Sequence, residues 1–132
     1  MSDSEVEEIQ YTKMEVLEEL LADACGDGKF ETVEYLVKCK DVNINNPFYP
    51  LHKAVAYDEF PIIKFLVENG AGVNKKDCNG DYAMQGTWNR DIQLYLIEHG
   101  ANILTGLNIN DKDMLDQIEE YARELFIDKY KK

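Results

Sequence analysis

A chain of 132 residues, 45% of them hydrophobic, is long enough for one folded domain and too apolar for wholesale disorder. Its 26 acidic residues outnumber 14 basic ones and leave a formal net charge of -12. Such a charge repels phosphate backbones and attracts basic surfaces, so nucleic acid is excluded as an expected partner and a basic protein is favoured.

The N-terminal stretch is the most acidic part of the chain. Between Met1 and Glu31 there are ten acidic residues and two lysines. We expect residues 1–10 to form a mobile acidic tail and residues 11–132 to form a single domain. The acidic surface either keeps the protein in solution or provides an electrostatic footprint for a basic partner.

Neither a secretion signal nor a membrane span is predicted. Met1–Gln10 is acidic and polar, whereas a signal peptide is basic and then apolar. No apolar run approaches the roughly 20 residues that cross a bilayer. The cysteines Cys25, Cys39 and Cys78 are odd in number and widely spaced, which does not fit a disulfide framework. We therefore expect a protein of the reducing cytoplasm that does not bind membranes.

Amphipathic helices recur along the chain at a fixed interval. The first predicted helix, Met14–Cys25, carries Val16, Leu17, Leu20, Leu21 and Ala24 on one stripe. Three further helices follow one another every 30 residues: Phe30–Lys38, Phe60–Glu68 and Arg90–Glu98. Shorter helices precede the last two, at Pro50–Tyr57 and Ala83–Trp88. One such hairpin cannot bury its apolar stripe alone, so we expect the hairpins to stack, with an amphipathic helix at Asp111–Lys129 as a C-terminal cap.

Two motifs give the repeats a family resemblance. Tyr49-Pro50-Leu51-His52-Lys53-Ala54-Val55 is similar to the T-P-L-H-x-A-A signature of ankyrin repeats, and Gly70–Gly80 is similar to their G-A-x-V-N-x-x-D-x-x-G linker. The chain thus resembles the ankyrin repeat family over about residues 19–108. The resemblance implies an all-α solenoid of helix-turn-helix hairpins, with repeats at about 14–46, 47–76 and 77–107. It also implies structural roles for Pro50, His52, Gly70, Gly80 and Gly100.

The repeats depart from the family pattern in three places. The linker Lys38–Asn43 is short and lacks the Gly-Ala pair that ends the later repeats at Gly70 and Gly100. The turn after Asn45 is also trimmed. In the third repeat Tyr82–Gln85 replaces T-P-L-H, and residues are missing between Trp88 and Asn89, where the two helices join. We therefore expect the third repeat to be distorted.

No catalytic or cofactor site is predicted. His52 and His99 are the only histidines, and they occupy non-equivalent positions in different repeats, so neither a shared metal nor an active site is expected. Gly26-Asp27-Gly28 lies between two helices, not between a strand and a helix, so it is not a phosphate loop. Cys25 occupies a core position, whereas Cys39 lies between two lysines, where modest thiol reactivity is an alternative.

The resemblance implies that turn tips and first helices bind a protein partner. The contact residues it implies are Asp27, Phe48, Tyr57, Lys76, Asn79, Asp81, Trp88 and Arg90, with Asn46 on the same exposed surface. Alternatively, Trp88 fills the gap left by the shortened helix junction, and Tyr57 and Phe48 pack on neighbouring turns. We expect a monomeric, non-enzymatic inhibitor, an immunity-type neutraliser of one basic protein. An adaptor or host-directed effector is the alternative, and an enzyme with an unrecognised site is the remote one.

Overall fold

The computed structural model describes residues 12–101, together with Asp116 and Glu120, which are helical. Residues 12–101 contain five α-helices and one 3-10 helix. In chain order they are α1 (Lys13–Gly26), α2 (Phe30–Cys39), α3 (Pro50–Ala56), α4 (Phe60–Glu68), the 3-10 helix (Ala83–Gly86) and α5 (Arg90–Glu98). The predicted acidic tail at residues 1–10 and the predicted cap at 111–129 lie outside the described residues, apart from those two helical positions.

The repeat period and the helical class are confirmed. The second helix of each hairpin begins at Phe30, Phe60 and Arg90, at intervals of 30 residues. Helix α1 packs against α2 and α3, and α3 packs in turn against α4 and the 3-10 helix, so the hairpins stack side by side. The apolar stripes of all the repeats meet in one buried core.

A left-handed turn ends each second helix. In all three repeats the carbonyl of a buried leucine accepts a backbone bond from a residue beyond the helix: Val42 to Leu36 at 3.1 Å, Ala71 to Leu66 at 2.9 Å and Ala101 to Leu96 at 2.8 Å. Gly70 and Gly100 close two of these turns with φ of 98° and 102°. Asp41 takes the corresponding position in the first repeat with φ of 51°, which explains the missing glycine.

The sequence predicts a short linker directly after α2, but the structure does not show a shortened linker there. Helix α2 continues to Cys39 and the left-handed residue is Asp41, five positions after Leu36, whereas Gly70 lies four positions after Leu66. The first linker is therefore one residue longer at the helix end. The residues missing from the first repeat are lost later, in the short loop that ends at Pro50, which contains the turn after Asn45 that the sequence predicts to be trimmed.

The distortion of the third repeat lies inside its first helix. The 3-10 helix has four residues where α3 has seven. The prediction that residues are missing between Trp88 and Asn89 is wrong, because the junction to the second helix is three residues long in both repeats. Gly86 ends the helix and Thr87 follows in extended conformation, with φ of -139° and ψ of 147°. Glycine and a β-branched residue both disfavour another helical turn.

The predicted apolar stripe of α1 is only partly buried. Leu21 and Ala24 lie in the core and Leu17 packs against it, as the helical spacing predicts. The same prediction is wrong for Val16 and Leu20, whose side chains are 53% and 45% exposed. These two residues point away from α2 and α3, towards a side of α1 that no described helix covers.

We predict that Gly70→Ala lowers the free energy of unfolding by about 1–2 kcal/mol, because a Cβ disfavours the left-handed conformation. A Cβ at Gly70 would meet nothing within 4 Å, so the loss comes from the backbone alone. Chemical unfolding followed by circular dichroism measures it.

Gly72→Ala is the matched control. Gly72 lies two residues further along the same linker without a positive φ, and a Cβ there would meet Asn45 Oδ1 at an ordinary 3.5 Å. We expect a change within about 0.5 kcal/mol. Equal losses in the two variants would contradict a special backbone requirement at Gly70.

Candidate functional site

Each helical hairpin exposes two opposite ends. Because the two helices are antiparallel and joined by three residues, their junctions at 27–29, 57–59 and 87–89 lie along one end of the stack, here called the turn edge. The loops that enter the first helices, 43–49 and 72–82, lie along the other end, here called the finger edge. A helix of seven residues, the length of α3, separates the edges by about 10 Å.

The predicted contact residues divide between these two edges. Four of them lie at the turn edge or directly beside it: Asp27, Tyr57, Trp88 and Arg90. The other four lie on the finger edge: Phe48, Lys76, Asn79 and Asp81. The sequence therefore predicts one set of residues where the structure has two separate surfaces.

Direct contacts join consecutive junctions of the turn edge. The Thr87 hydroxyl donates to Asp58 Oδ1 at 2.6 Å, and these two residues are the immediate neighbours of Trp88 and Tyr57 in the chain. On the other side of Tyr57, its ring lies over Gly26, where an added Cβ would be 3.4 Å from Cδ2. The three junctions thus form one continuous surface.

Two aromatic side chains project from this surface. Among the described residues, Trp88 and Tyr57 are the most exposed of the large hydrophobic side chains, at 75% and 64%. The alternative that Trp88 fills a gap is wrong, because Thr87 is the buried residue there. In an extended segment successive side chains point to opposite sides, so a buried Thr87 directs Trp88 to solvent.

The segment that carries Trp88 is fixed on both sides. Asn89 Oδ1 accepts bonds from the Asp91 and Ile92 amides at 3.0 and 3.4 Å and so caps α5. Gln93, which is buried, donates from Nε2 to the Thr87 carbonyl at 3.0 Å. A fixed backbone lowers the entropy lost when an aromatic side chain is buried against a partner.

Hydrogen bonds within the chain shape the finger between the second and third repeats. Asp77 Oδ1 accepts the Asn79 and Asp81 amides, each at 2.9 Å, and an antiparallel bridge pairs Lys76 with Tyr82. The backbone bond from Asp81 is the main reason why the pKa of Asp77 lies below its ordinary value, with the Asn79 amide and the charge of His52 as smaller causes. The side chains of Lys76, Asn79 and Asp81 are exposed on this ordered loop.

Pro50 and His52 lie at the base of the finger edge. Pro50 is buried at the start of α3, where its missing N–H breaks no helical bond. His52 Nε2 lies 3.0 Å from the Asp81 carbonyl, a contact in which the protonated nitrogen donates and which joins the second repeat to the third. The Tyr49 ring packs against the imidazole edge-on at 5.4 Å.

The sequence assigned one asparagine wrongly and missed two others. Asn46, expected on the exposed surface, is 1% exposed, because its amide bonds the Asn43 carbonyl at 2.8 Å and the Phe48 amide at 2.9 Å within the loop. Phe48 itself is half-buried. Asn45 and Asn74 instead link repeats, as each donates to the carbonyl of the next turn glycine: Gly70 at 3.0 Å and Gly100 at 2.9 Å. Each asparagine precedes its glycine by a similar number of residues, and this spacing is the signal in the sequence that could have identified the two links.

The described residues present no arrangement typical of catalysis. His99 lies beyond α5, with Nδ1 2.8 Å from the Tyr95 carbonyl, in a different repeat from His52. Over this part of the chain, no group of three or more His, Cys, Asp or Glu residues is placed to hold a metal ion. Also within these ranges, no helix has both the length and the apolar character needed to cross a bilayer.

Stacked helical hairpins closed by left-handed turns define a solenoid protein of the helical-repeat class. A family model described as ankyrin repeats in three copies matches residues 20–113, which is more than half of this chain. The chain belongs to the ankyrin repeat family. Ankyrin repeats bind other proteins, and the family is typically a non-enzymatic binding module.

Two curated relatives resemble this chain over part of their length. BTB/POZ domain-containing protein 3 of Schizosaccharomyces pombe is 31% identical over 83 residues, covering 60% of this chain and 16% of that protein. RelA-associated inhibitor of Mus musculus is 29% identical over 119 residues, covering 83% of this chain and 14% of that protein. The chain thus spans about a sixth or less of the length of these relatives.

The three cysteines differ in accessibility, which predicts their reactivity. Cys25 is fully buried, and burial raises the pKa of its thiol to about 12, whereas Cys39 and Cys78 are exposed. We predict that a disulfide reagent such as DTNB titrates two thiols in the native protein and three in denaturant. Cys25→Ala is the control and leaves the native count unchanged. Three rapidly reacting native thiols would contradict the burial of Cys25.

Proposed function

We propose that this chain binds one protein partner through the turn edge and acts as its inhibitor. The observation that carries the proposal is the pair of exposed aromatic side chains, Tyr57 and Trp88, on either side of the Asp58–Thr87 hydrogen bond. Stacked helices lie about 8–10 Å apart, so side chains from adjacent junctions fall within one interface of standard size. Tyrosine and tryptophan are the residue types most enriched among energetically dominant interface contacts.

The charge around the aromatic pair favours a basic partner. Four acidic residues lie on or next to the turn edge, and they outnumber the basic residues there: Asp27, Asp58, Glu59 and Asp91. Negative charge around an apolar centre steers a basic partner towards it and repels acidic competitors. The finger edge is less suited to a basic partner, because Lys75 and Lys76 there balance the charges of Asp77 and Asp81.

The inhibitor role is supported by one relative and remains distinct from an adaptor role. The name of RelA-associated inhibitor describes that protein as an inhibitor, and this chain covers 14% of its length. Both relatives are far longer than the matched region, which favours the alternative that the repeats serve as the binding part of an adaptor. Loss of the partner's activity on binding supports an inhibitor, whereas retained activity with recruitment of a third protein supports an adaptor.

We propose a monomer acting in a reducing compartment, which the free exposed thiols of Cys39 and Cys78 favour.

Replacing Trp88 and Tyr57 together by alanine should weaken binding at least a hundredfold, since each truncation of a central aromatic costs about 2 kcal/mol or more. The partner is first identified by affinity capture from the native source and mass spectrometry, and affinity is then measured by calorimetry. Both side chains are mostly exposed, so the circular dichroism spectrum should not change.

Two matched controls separate the turn edge from other surfaces. Tyr35→Ala removes an exposed aromatic side chain from α2, and Asn79→Ala truncates a side chain of the finger edge. Neither should change affinity more than about threefold. A large loss with Asn79→Ala and none with the turn-edge variant would move the interface to the fingers.

Salt dependence tests the electrostatic part of the proposal. Raising the ionic strength from 0.1 to 1 M shortens the screening length from about 10 to about 3 Å, so association with a basic partner should slow and affinity should fall. Stopped-flow measurement of the association rate at several salt concentrations gives the slope. Asp27→Asn should flatten this slope, whereas Glu34→Gln on α2 should leave it unchanged. A salt-independent rate would remove steering by charge.

A further inference from the structure

One helix face in the described stack carries apolar side chains that are only about half covered. Val16 and Leu20 are four residues apart on α1, so they adjoin on one face, and they are 53% and 45% exposed. Met14 is also exposed, but it precedes Val16 by two residues, about 200° around the helix, and so lies on a different side. Side chains of this size are more often buried than exposed, so Val16 and Leu20 form a short apolar stripe that can take part in an interaction. This stripe is here called the outer face of α1.

Acidic residues border the outer face of α1. Glu19 and Asp23 follow Val16 and Leu20 by three residues, so they lie beside the apolar stripe, and both are exposed. Glu15 adds an exposed carboxylate one turn earlier, and the only basic residue of the helix is Lys13 at its first position. The surface is therefore an apolar stripe with a negative border.

This charge pattern distinguishes between the possible occupants of the stripe. A second copy of the chain would place Glu15, Glu19 and Asp23 against the same acidic residues and would repel itself. Residues 1–11 carry four acidic residues and no lysine or arginine, so they would also bring like charges together. A basic segment from a different protein is the occupant whose charge complements the face.

We propose that the outer face of α1 binds an amphipathic helix whose apolar stripe is bordered by lysine or arginine. Such a helix would lay its apolar side chains against Val16 and Leu20 and its cations against the acidic border. With 14 residues α1 is about 21 Å long, which matches about four turns of a partner helix. The inference deepens the proposed function, since it rests on the chain being a protein-binding module and assigns it a second contact surface.

The outer face also continues into the turn edge. Asp23 and Asp27 are four residues apart at the end of α1, and Asp27 is the first residue of the turn edge. One basic partner can therefore place a helix on α1 and a second contact on Tyr57 and Trp88 without crossing an uncharged gap. The two contacts use different side chains, so each can be removed without the other.

A synthetic probe tests the surface without knowledge of the natural partner. The probe is a fluorescein-labelled helical peptide of about 18 residues, with leucines at positions i, i+3, i+4 and i+7 and lysines beside them. Fluorescence anisotropy with the full chain measures its affinity. We expect Val16→Ser with Leu20→Ser to weaken binding about tenfold or more, because the buried apolar contact is lost. Amide chemical shift changes in the wild type should concentrate on α1.

Three controls decide whether the apolar stripe is the cause. Tyr35→Ser removes a comparably exposed apolar side chain from α2 and should leave the peptide affinity unchanged. A peptide of the same composition with its leucines scattered around the helix should bind at least tenfold more weakly. Trp88→Ala with Tyr57→Ala should leave peptide binding intact. Loss of binding to the natural partner in this alanine variant and loss of peptide binding in the serine variant are therefore separate results.

Four outcomes would overturn the proposal. Equal affinity for the ordered and scattered peptides, or no effect of the serine variant, would mean that charge alone attracts the peptide. A dimer seen by light scattering that the serine variant dissociates would assign the face to a second copy. Nuclear Overhauser contacts between the Leu20 methyls and Ile9 would assign it to the chain's own N-terminal segment.

Discussion

The apolar contact between one helical hairpin and the next is the interaction on which this molecule depends. The five α-helices between residues 12 and 101 are seven to fourteen residues long, and helices of this length are marginal in water unless a neighbour covers them. Leu36, Leu66 and Leu96 provide this cover at 30-residue intervals. Their carbonyls also accept the bonds that close the left-handed turns, so the same residues fix the core and the direction in which the chain leaves each repeat.

The apolar stripes of the helices are buried between repeats, so the exposed residues lie mainly at the two edges of the stack. The two edges differ in how freely their residues can be substituted. At the finger edge, side chains such as Asn45, Asn74 and His52 bond across repeats and hold the stack together. At the turn edge, the aromatic rings of Tyr57 and Trp88 extend beyond the residues that hold the junctions. Exposed side chains on a fixed backbone can specialise for a partner without loss of stability, which favours the turn edge as the binding surface.

The repeat period, the second helices and the glycine turns could be predicted from the sequence, since apolar spacing and glycine directly reflect helix geometry and left-handed turns. The other details depend on neighbours that a linear pattern does not specify. Asp41 adopts a left-handed conformation that its residue type only tolerates. Asn46 is buried because its side-chain amide makes hydrogen bonds to backbone groups inside the loop. Leu20 has the spacing of a core residue and lacks only a helix on its outer side.

The candidate contacts could be predicted as residue types but not as an arrangement. Trp88 could be predicted from its residue type as a candidate contact, yet its direction depends on an extended Thr87 whose hydroxyl donates to Asp58. The antiparallel hairpin then places it away from the finger residues that the sequence grouped with it. Charge differs between the two edges in the same way, because the acidic outer face of α1 meets the turn edge at Asp27, while Lys75 and Lys76 at the finger edge are balanced by Asp77 and Asp81. This difference supports the proposal that a basic partner approaches the end of the stack that carries the aromatic pair.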